Sequence, residues 1–334
     1  MRSVPVFVGL DYHQQSIQVC VMNRQGEVLL NRRCDNDRRQ LARLVQRYSR
    51  NVRAAIEACS GAAVLAEELV QECRWSVDLA HPGYVARMKQ SPDKSDFGDA
   101  RILADLERVG YLPKVWLAPP EIRQLRTLVR YRQQLVAQRR NSKLRISALL
   151  RENRIVRPGC RPWTIAWNGW LATTDQFDPQ TRWVVDQQLL QLRRLQEDIR
   201  TVERRLQAVT ADDPVMARLG ELPGVGLITA VTLRAEIGRF DRFHNGKQLA
   251  RFCGLSPCNA SSGQRQADAG LVKAGNRELR AVLIELGHRL IRYEPRWQAL
   301  ASRMTHTGKA KCVIVAAVAN RWTRWLYWQM QQAA

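Results

Sequence analysis

At 334 residues with 45% hydrophobic side chains, the chain is too long for one ordinary core and too apolar for a disordered tail. A formal net charge of +22 and a pI of about 10.5 point to a polyanionic partner, nucleic acid ahead of an anionic membrane. No uncharged apolar run is long enough to span a bilayer and no signal-peptide pattern opens the chain, so the expectation is a soluble protein of the cytoplasm with no membrane partner. Its eight cysteines include no C-x-x-C pair, which argues against a structural zinc and fits a reducing compartment.

The first third predicts strands followed by helices. "VFVGL", "SIQVCVMN" and "EVLL" are apolar, β-branched segments joined by short polar turns, the pattern of an antiparallel meander. "RAAIEAC" predicts a fourth strand, "AAVLAEELVQEC" a helix and "WSVDLAHP" a further strand, giving an α/β unit. Asp11 follows the first strand directly, and Glu57 interrupts the fourth. A carboxylate in an apolar strand is costly unless it has a partner or a metal. Asp96 and Asp99 open the predicted helix "SDFGDARILADLERV" three residues apart, hence on one face. Taken singly, Asp96 reads as a helix N-cap and Asp99 as a first-turn acid favoured by the helix dipole. Four carboxylates converging from two strands and a helix would repel one another, a conflict that a divalent cation resolves, and hard oxygen donors suit Mg²⁺ (or Mn²⁺).

Residues 122–151 carry nine basic side chains and no acidic one: Arg123, Arg126, Arg130, Arg132, Arg139, Arg140, Lys143, Arg145 and Arg151. With an apolar stripe of leucine and valine, this predicts an amphipathic helix, or two, whose one-sign face binds a phosphate backbone of RNA or DNA. "RPGCRPWTIAWNGWL" breaks the pattern and reads as a boundary with packing surface of its own. Leu192, Leu195, Ile199, Val202, Leu206 and Val209 then form a short heptad stripe, either a hairpin within one chain or a dimer contact.

The last third opens with "LPGVG" before an apolar helix, similar to a helix-hairpin-helix, with Gly224 and Gly226 letting backbone N–H groups approach a phosphate. A plain glycine turn between helices is the other reading. Small and polar residues then fill positions 256–270, a long loop of the functional kind. "KAGNRELR" puts Lys273, Arg277 and Arg280 near a helix start where phosphate could sit. Within the loop Ser262 precedes Gly263, on spacing alone a turn signal.

"GLD" at Asp11, "IEACSG" at Glu57, "KSDFGDA", "LPGVG", "GLSP", "SSG" and "GLVKAGNRELR" occur in one order along nearly the whole chain. In that order they resemble the DEDD-motif transposases of the insertion sequence 110 and 1111 group, the bridge-RNA-guided recombinases. The resemblance implies a RuvC-like (RNase H-like) N-terminal domain, a helical coiled-coil middle and a mainly helical transposase domain, over residues 1–155, 156–212 and 213–334. It implies that Asp11, Glu57, Asp96 and Asp99 hold Mg²⁺ and that a serine of the last third is the nucleophile. By its position before the glycine that serine is Ser262, with Ser261 beside it as the alternative. Attack on DNA leaves a phosphoserine link, and partners are a guide RNA, donor and target DNA, and further copies of the chain, dimer to tetramer, in whose assembly the heptad stripe takes part. Two other classes stay open: a RuvC-like junction nuclease that uses water, and a nucleic-acid-binding protein without catalysis.

Overall fold

A computed structural model describes residues 4–88, 95–259 and 268–331. The chain divides into two compact units, Met1–Ala118 and Pro119–Ala334.

The first unit is a six-stranded sheet with helices on both faces. Its elements are β1 (Val6–Tyr12), β2 (Ser16–Met22), β3 (Val28–Asp35), α1 (Arg38–Gln46), β4 (Val52–Glu57), α2 (Ala62–Cys73), β5 (Ser76–Ala80), α3 (Pro82–Met88), α4 (Asp96–Arg108) and β6 (Lys114–Val115). The strand order is β3-β2-β1-β4-β5-β6. The meander β1–β3 is antiparallel, as its short turns require, whereas β1, β4 and β5 run parallel because helices carry the chain back between them. Strand alternation sorts the side chains. Val6, Val8 and Leu10 join Ile56 and the apolar faces of α1 and α2 in one core, while Phe7 meets Ala100 and Ala104 of α4 on the other face. Gly9 lies between them: a Cβ there would stand 1.8 Å from the Ala100 carbonyl oxygen and 2.6 Å from the Ala104 backbone nitrogen. The helix therefore rests on the backbone of β1, an approach open only to glycine.

The second unit is built on a pair of long helices, α5 (Pro120–Glu152) and α7 (Pro179–Val209). Arg132 bonds Glu203, Arg139 bonds Gln196 and Ser142 bonds Gln191, so the partner number falls as the other rises and the pair is antiparallel. The heptad stripe is used here. Leu195, Ile199, Val202 and Leu206 are buried in one core with Leu125, Val129 and Leu135 of α5, which leaves these four unavailable to a second copy of the chain. The stripe is thus a hairpin within one chain, and the expected assembly role does not follow from those four residues; only its end, Val209, is 46% exposed. At the hairpin tip α6 (Ile165–Thr173) closes a small core in which Trp167 and Leu171 meet Ile146, Leu150 and Val185. The tryptophan-rich stretch thus caps the hairpin.

Beyond it come α8 (Pro214–Gly220), α9 (Leu227–Ile237), α10 (Gly246–Phe252), a two-stranded ribbon of β7 (Pro257–Asn259) and β8 (Asp268–Leu271), then α11 (Arg277–Tyr293), α12 (Pro295–His306) and α13 (Lys311–Gln331). The ribbon takes up both ends of what the sequence presents as one long loop. Its base is drawn tight. A Cβ on Gly275 would stand 2.3 Å from the Gly254 Cα, so the "GLSP" and "KAGN" segments meet backbone to backbone. Among the described residues no helix is long and apolar enough to cross a membrane.

Candidate metal centre and nucleic-acid surfaces

Of the carboxylates of the first unit, Asp11, Asp96 and Asp99 lie near one another at one end of the sheet, on the face covered by α4, with Glu57 at the end of the adjacent strand. Asp11 and Glu57 follow the last aligned pair of two adjacent parallel strands, Leu10 and Ile56. Their neighbours Leu10 and Ile56 point into the opposite core, so alternation turns Asp11 and Glu57 toward α4. That helix begins with Ser95, whose hydroxyl accepts a hydrogen bond from the Gly98 N–H at 3.1 Å. Ser95 rather than Asp96 is therefore the N-cap, and both Asp96 and Asp99 belong to the first helical turn. The close seat of α4 on Gly9 brings that turn over the strand ends.

The structure adds a residue that sequence reading missed. His13 Nε2 lies 3.3 Å from Asp11 Oδ2 and 3.5 Å from Asp96 Oδ2. Donor atoms of Asp11, His13 and Asp96 all fall within 4.8 Å of one another, the one such metal-ligand grouping among the described residues. His13 lies one residue beyond the end of β1, in the turn to β2, where its N–H donates to the Ser16 carbonyl. Asp99 is buried and Asp96 half-exposed. Burial pushes the Asp11 carboxyl above its usual range, His13 pulls it down, and the charges of Asp96 and Asp99 push it up again. Glu57 and Asp11 both raise the Cys59 thiol, after burial, and so share its surroundings. The donor set fits a hard divalent cation: several oxygens and one nitrogen, half-open to solvent, under mutual repulsion.

The basic positions of the second unit divide into two kinds. Arg126 donates to the Ala235 carbonyl at 2.6 Å, and Arg130 grips both oxygens of Glu236 at 2.9 and 3.0 Å. Arg139 bonds Gln196, Lys143 lies 4.8 Å from the Trp163 ring centre, and Arg280 donates to the Val272 carbonyl at 3.0 Å. These five hold the fold together. Arg140, Lys273 and Arg277 are exposed. The start of α11 is not an open phosphate seat, because the Asn276 side chain accepts from the N–H groups of Glu278 and Leu279. The start of α9 differs. Gly226 is its N-cap and offers no side-chain cap, and Gly224 before it takes φ +76°. Ser261 and Ser262 lie outside the described residues.

A family model described as "Transposase" matches residues 8–154, and one described as "Transposase IS116/IS110/IS902 family" matches residues 216–302. The putative transposase y4qE of Sinorhizobium fredii is 32% identical over 64% of this chain, a match that spans only 52% of that protein. The transposase for insertion sequence element IS1111A of Coxiella burnetii is 27% identical over 88% of this chain and 79% of its own length. The pilin gene-inverting protein of Moraxella bovis is 33% identical over 31% of this chain and 33% of its own. The chain belongs to this family of insertion-sequence transposases.

Proposed function

With that membership as the premise, we propose that the protein is an RNA-guided DNA recombinase of an insertion sequence, joining DNA strands through a phosphoserine intermediate. The observation that carries the reading is the gathering of Asp11, Asp96 and Asp99, with Glu57 at the neighbouring strand end, on one side of a sheet ordered β3-β2-β1-β4-β5-β6. That order, with an antiparallel meander leading into parallel strands, supports an RNase H-like assignment for the first unit.

Asp11, Glu57, Asp96 and Asp99 would hold Mg²⁺ or Mn²⁺. A bound cation would supply Lewis-acid polarisation of the scissile phosphate and charge stabilisation of the leaving oxygen. The rest falls to the chain. Gly9 and the Ser95 cap fix the turn that aims Asp96 and Asp99. Ser262, or Ser261, attacks phosphorus: the new bond is Oγ–P, the bond broken is P–O to the departing strand, and the hydroxyl proton passes to solvent or a nearby base. The ester retains the bond energy, so the reverse attack by another strand end rejoins DNA without ATP. Gly224, Gly226 and the exposed Arg140, Lys273 and Arg277 contact phosphates, and base pairing by the guide RNA selects donor and target. The inverting activity named for the Moraxella relative fits cleavage followed by rejoining, not transposition alone.

Denaturing gels of the full chain with guide RNA and end-labelled donor and target DNA test this. A protein–DNA adduct that disappears in Ser262→Ala, or in Ser261→Ala, is the expected result. Cleavage without an adduct points to a water-using junction nuclease, and tight binding with neither points to a binding protein. Asp96→Ala is expected to lose strand exchange while keeping RNA binding; unchanged recombination removes the metal-site assignment.

A further inference from the structure

The four carboxylates implied by the family leave His13 unexplained, yet its ring stands against two of them. Its Nε2 faces both Asp11 and Asp96, at 3.3 and 3.5 Å. Two donors at right angles about an ion, each at ~2.1 Å, stand roughly 3.0 Å apart, and opposite donors about 4.2 Å. The three donor atoms, all within 4.8 Å of one another, therefore have the spacing of ligands around a shared ion after a small contraction. Nothing else among the described contacts holds the imidazole in place: its neighbours are the two carboxylates, while the backbone N–H of this residue donates to the Ser16 carbonyl and its carbonyl accepts from the Asn36 amide.

We propose that His13 is a ligand of the ion held by Asp11 and Asp96, through Nε2, and that its nitrogen shifts the preference of the site from Mg²⁺ toward Mn²⁺. This inference rests on the metal-site reading above. A set of carboxylates alone is the ordinary environment of Mg²⁺, which takes oxygen almost exclusively and dehydrates reluctantly. An imidazole nitrogen is a softer donor that first-row transition ions accept. The same Nε2 cannot both donate a proton to Asp11 and give its lone pair to an ion, so the two roles are separable by experiment.

The test uses the full chain without nucleic acid, loaded with less than one equivalent of Mn²⁺, and reads electron spin echo modulation. A nitrogen coupling typical of directly bound imidazole is expected, and it changes when histidine is ¹⁵N-labelled, a measurement that needs no variant. In His13→Gln the coupling disappears and Mn²⁺ affinity falls about tenfold, while Mg²⁺ affinity changes less. His13 is half-exposed, so this variant is expected to fold, and circular dichroism checks it. Mn²⁺ that binds in an Asp11-dependent way but shows no imidazole coupling, or a coupling that survives His13→Gln, overturns the proposal and leaves the metal site intact. Mn²⁺ binding that is absent, or indifferent to Asp11→Asn, overturns the metal-site reading and this inference with it.

Discussion

Two acidic sites, one in each unit, show opposite solutions to the same problem. Glu236 of α9 is 2% exposed, and burial alone would push its carboxyl up. The Arg130 guanidinium, the Asn276 amide and the charge of Arg126 outweigh that and hold it below its usual range. Both oxygens accept hydrogen bonds, and the carboxylate ties α5, α9 and the N-cap of α11 into one body. Asp11 is also largely shielded, yet its neighbours include two more acids, and burial with their charges lifts its carboxyl instead. An arrangement that satisfies its charge is structure. One that leaves charge in conflict is a site awaiting a ligand.

That contrast can be broken in several places, the largest effect first. Asp11→Asn is expected to lower recombination more than ~100-fold, as loss of a metal ligand does, with thermal stability unchanged or raised because repulsion is relieved. A stable, fully active variant would show that the conflict has no function. Glu236→Ala should do the reverse. Leaving Arg130 and Asn276 without their acceptor costs about 2 kcal/mol, below the usual figure for a buried pair because the Arg130 side chain is 56% exposed. Chemical denaturation of the full chain measures this, and a neutral result would demote the network to a surface contact.

Gly9→Ala probes the scaffold under the first site. The new methyl meets backbone, not a flexible side chain, so α4 must shift at a cost of ~2 kcal/mol, and Mn²⁺ affinity falls with it. Unaltered metal affinity would mean that the seat of α4 does not set the Asp96 position. Ser95→Ala removes the cap of the same helix for about 1 kcal/mol and a smaller loss of affinity.

The smallest effects are in the pH dependence, and their signs differ. A carboxyl raised on folding stabilises the fold most below its unfolded value, and that contribution is lost as pH rises through the raised one. In chelator, wild type should therefore lose ground to Asp11→Asn as pH climbs through the upper carboxylate range, and added Mg²⁺ should restore it. A carboxyl lowered on folding contributes above its unfolded value, and its contribution is lost as pH falls through the lowered one. Wild type should thus lose its advantage over Glu236→Gln on acidification. Parallel trends for the two pairs would remove the distinction.

Much of the first site was legible in the sequence because it depends on periodicity. A period of two places Asp11 and Glu57 on one sheet face, and a spacing of three places Asp96 and Asp99 on one helix face. His13 lies one residue past the end of β1, where neither period applies, and a lone histidine carries no pattern of its own. Glu236 was missed although it is an acid within the apolar run "LITAVTLRAEIG", the same signal that drew attention to Glu57. What sequence could not supply is pairing at long range. Nothing in a basic run tells Arg130, held by Glu236 over 100 positions away, from exposed Arg140. The heptad stripe posed the same difficulty, since apolar periodicity states that a face is covered and not by which helix.

The central claim is that the conflict at Asp11 is resolved by an ion, and anomalous diffraction from Mn²⁺-soaked crystals of the full chain tests it most directly. The account predicts a peak bounded by Asp11, Asp96 and Asp99 with Glu57 alongside, lost in Asp11→Asn. A map with no peak among these residues, in crystals where manganese is found elsewhere on the protein, would contradict it.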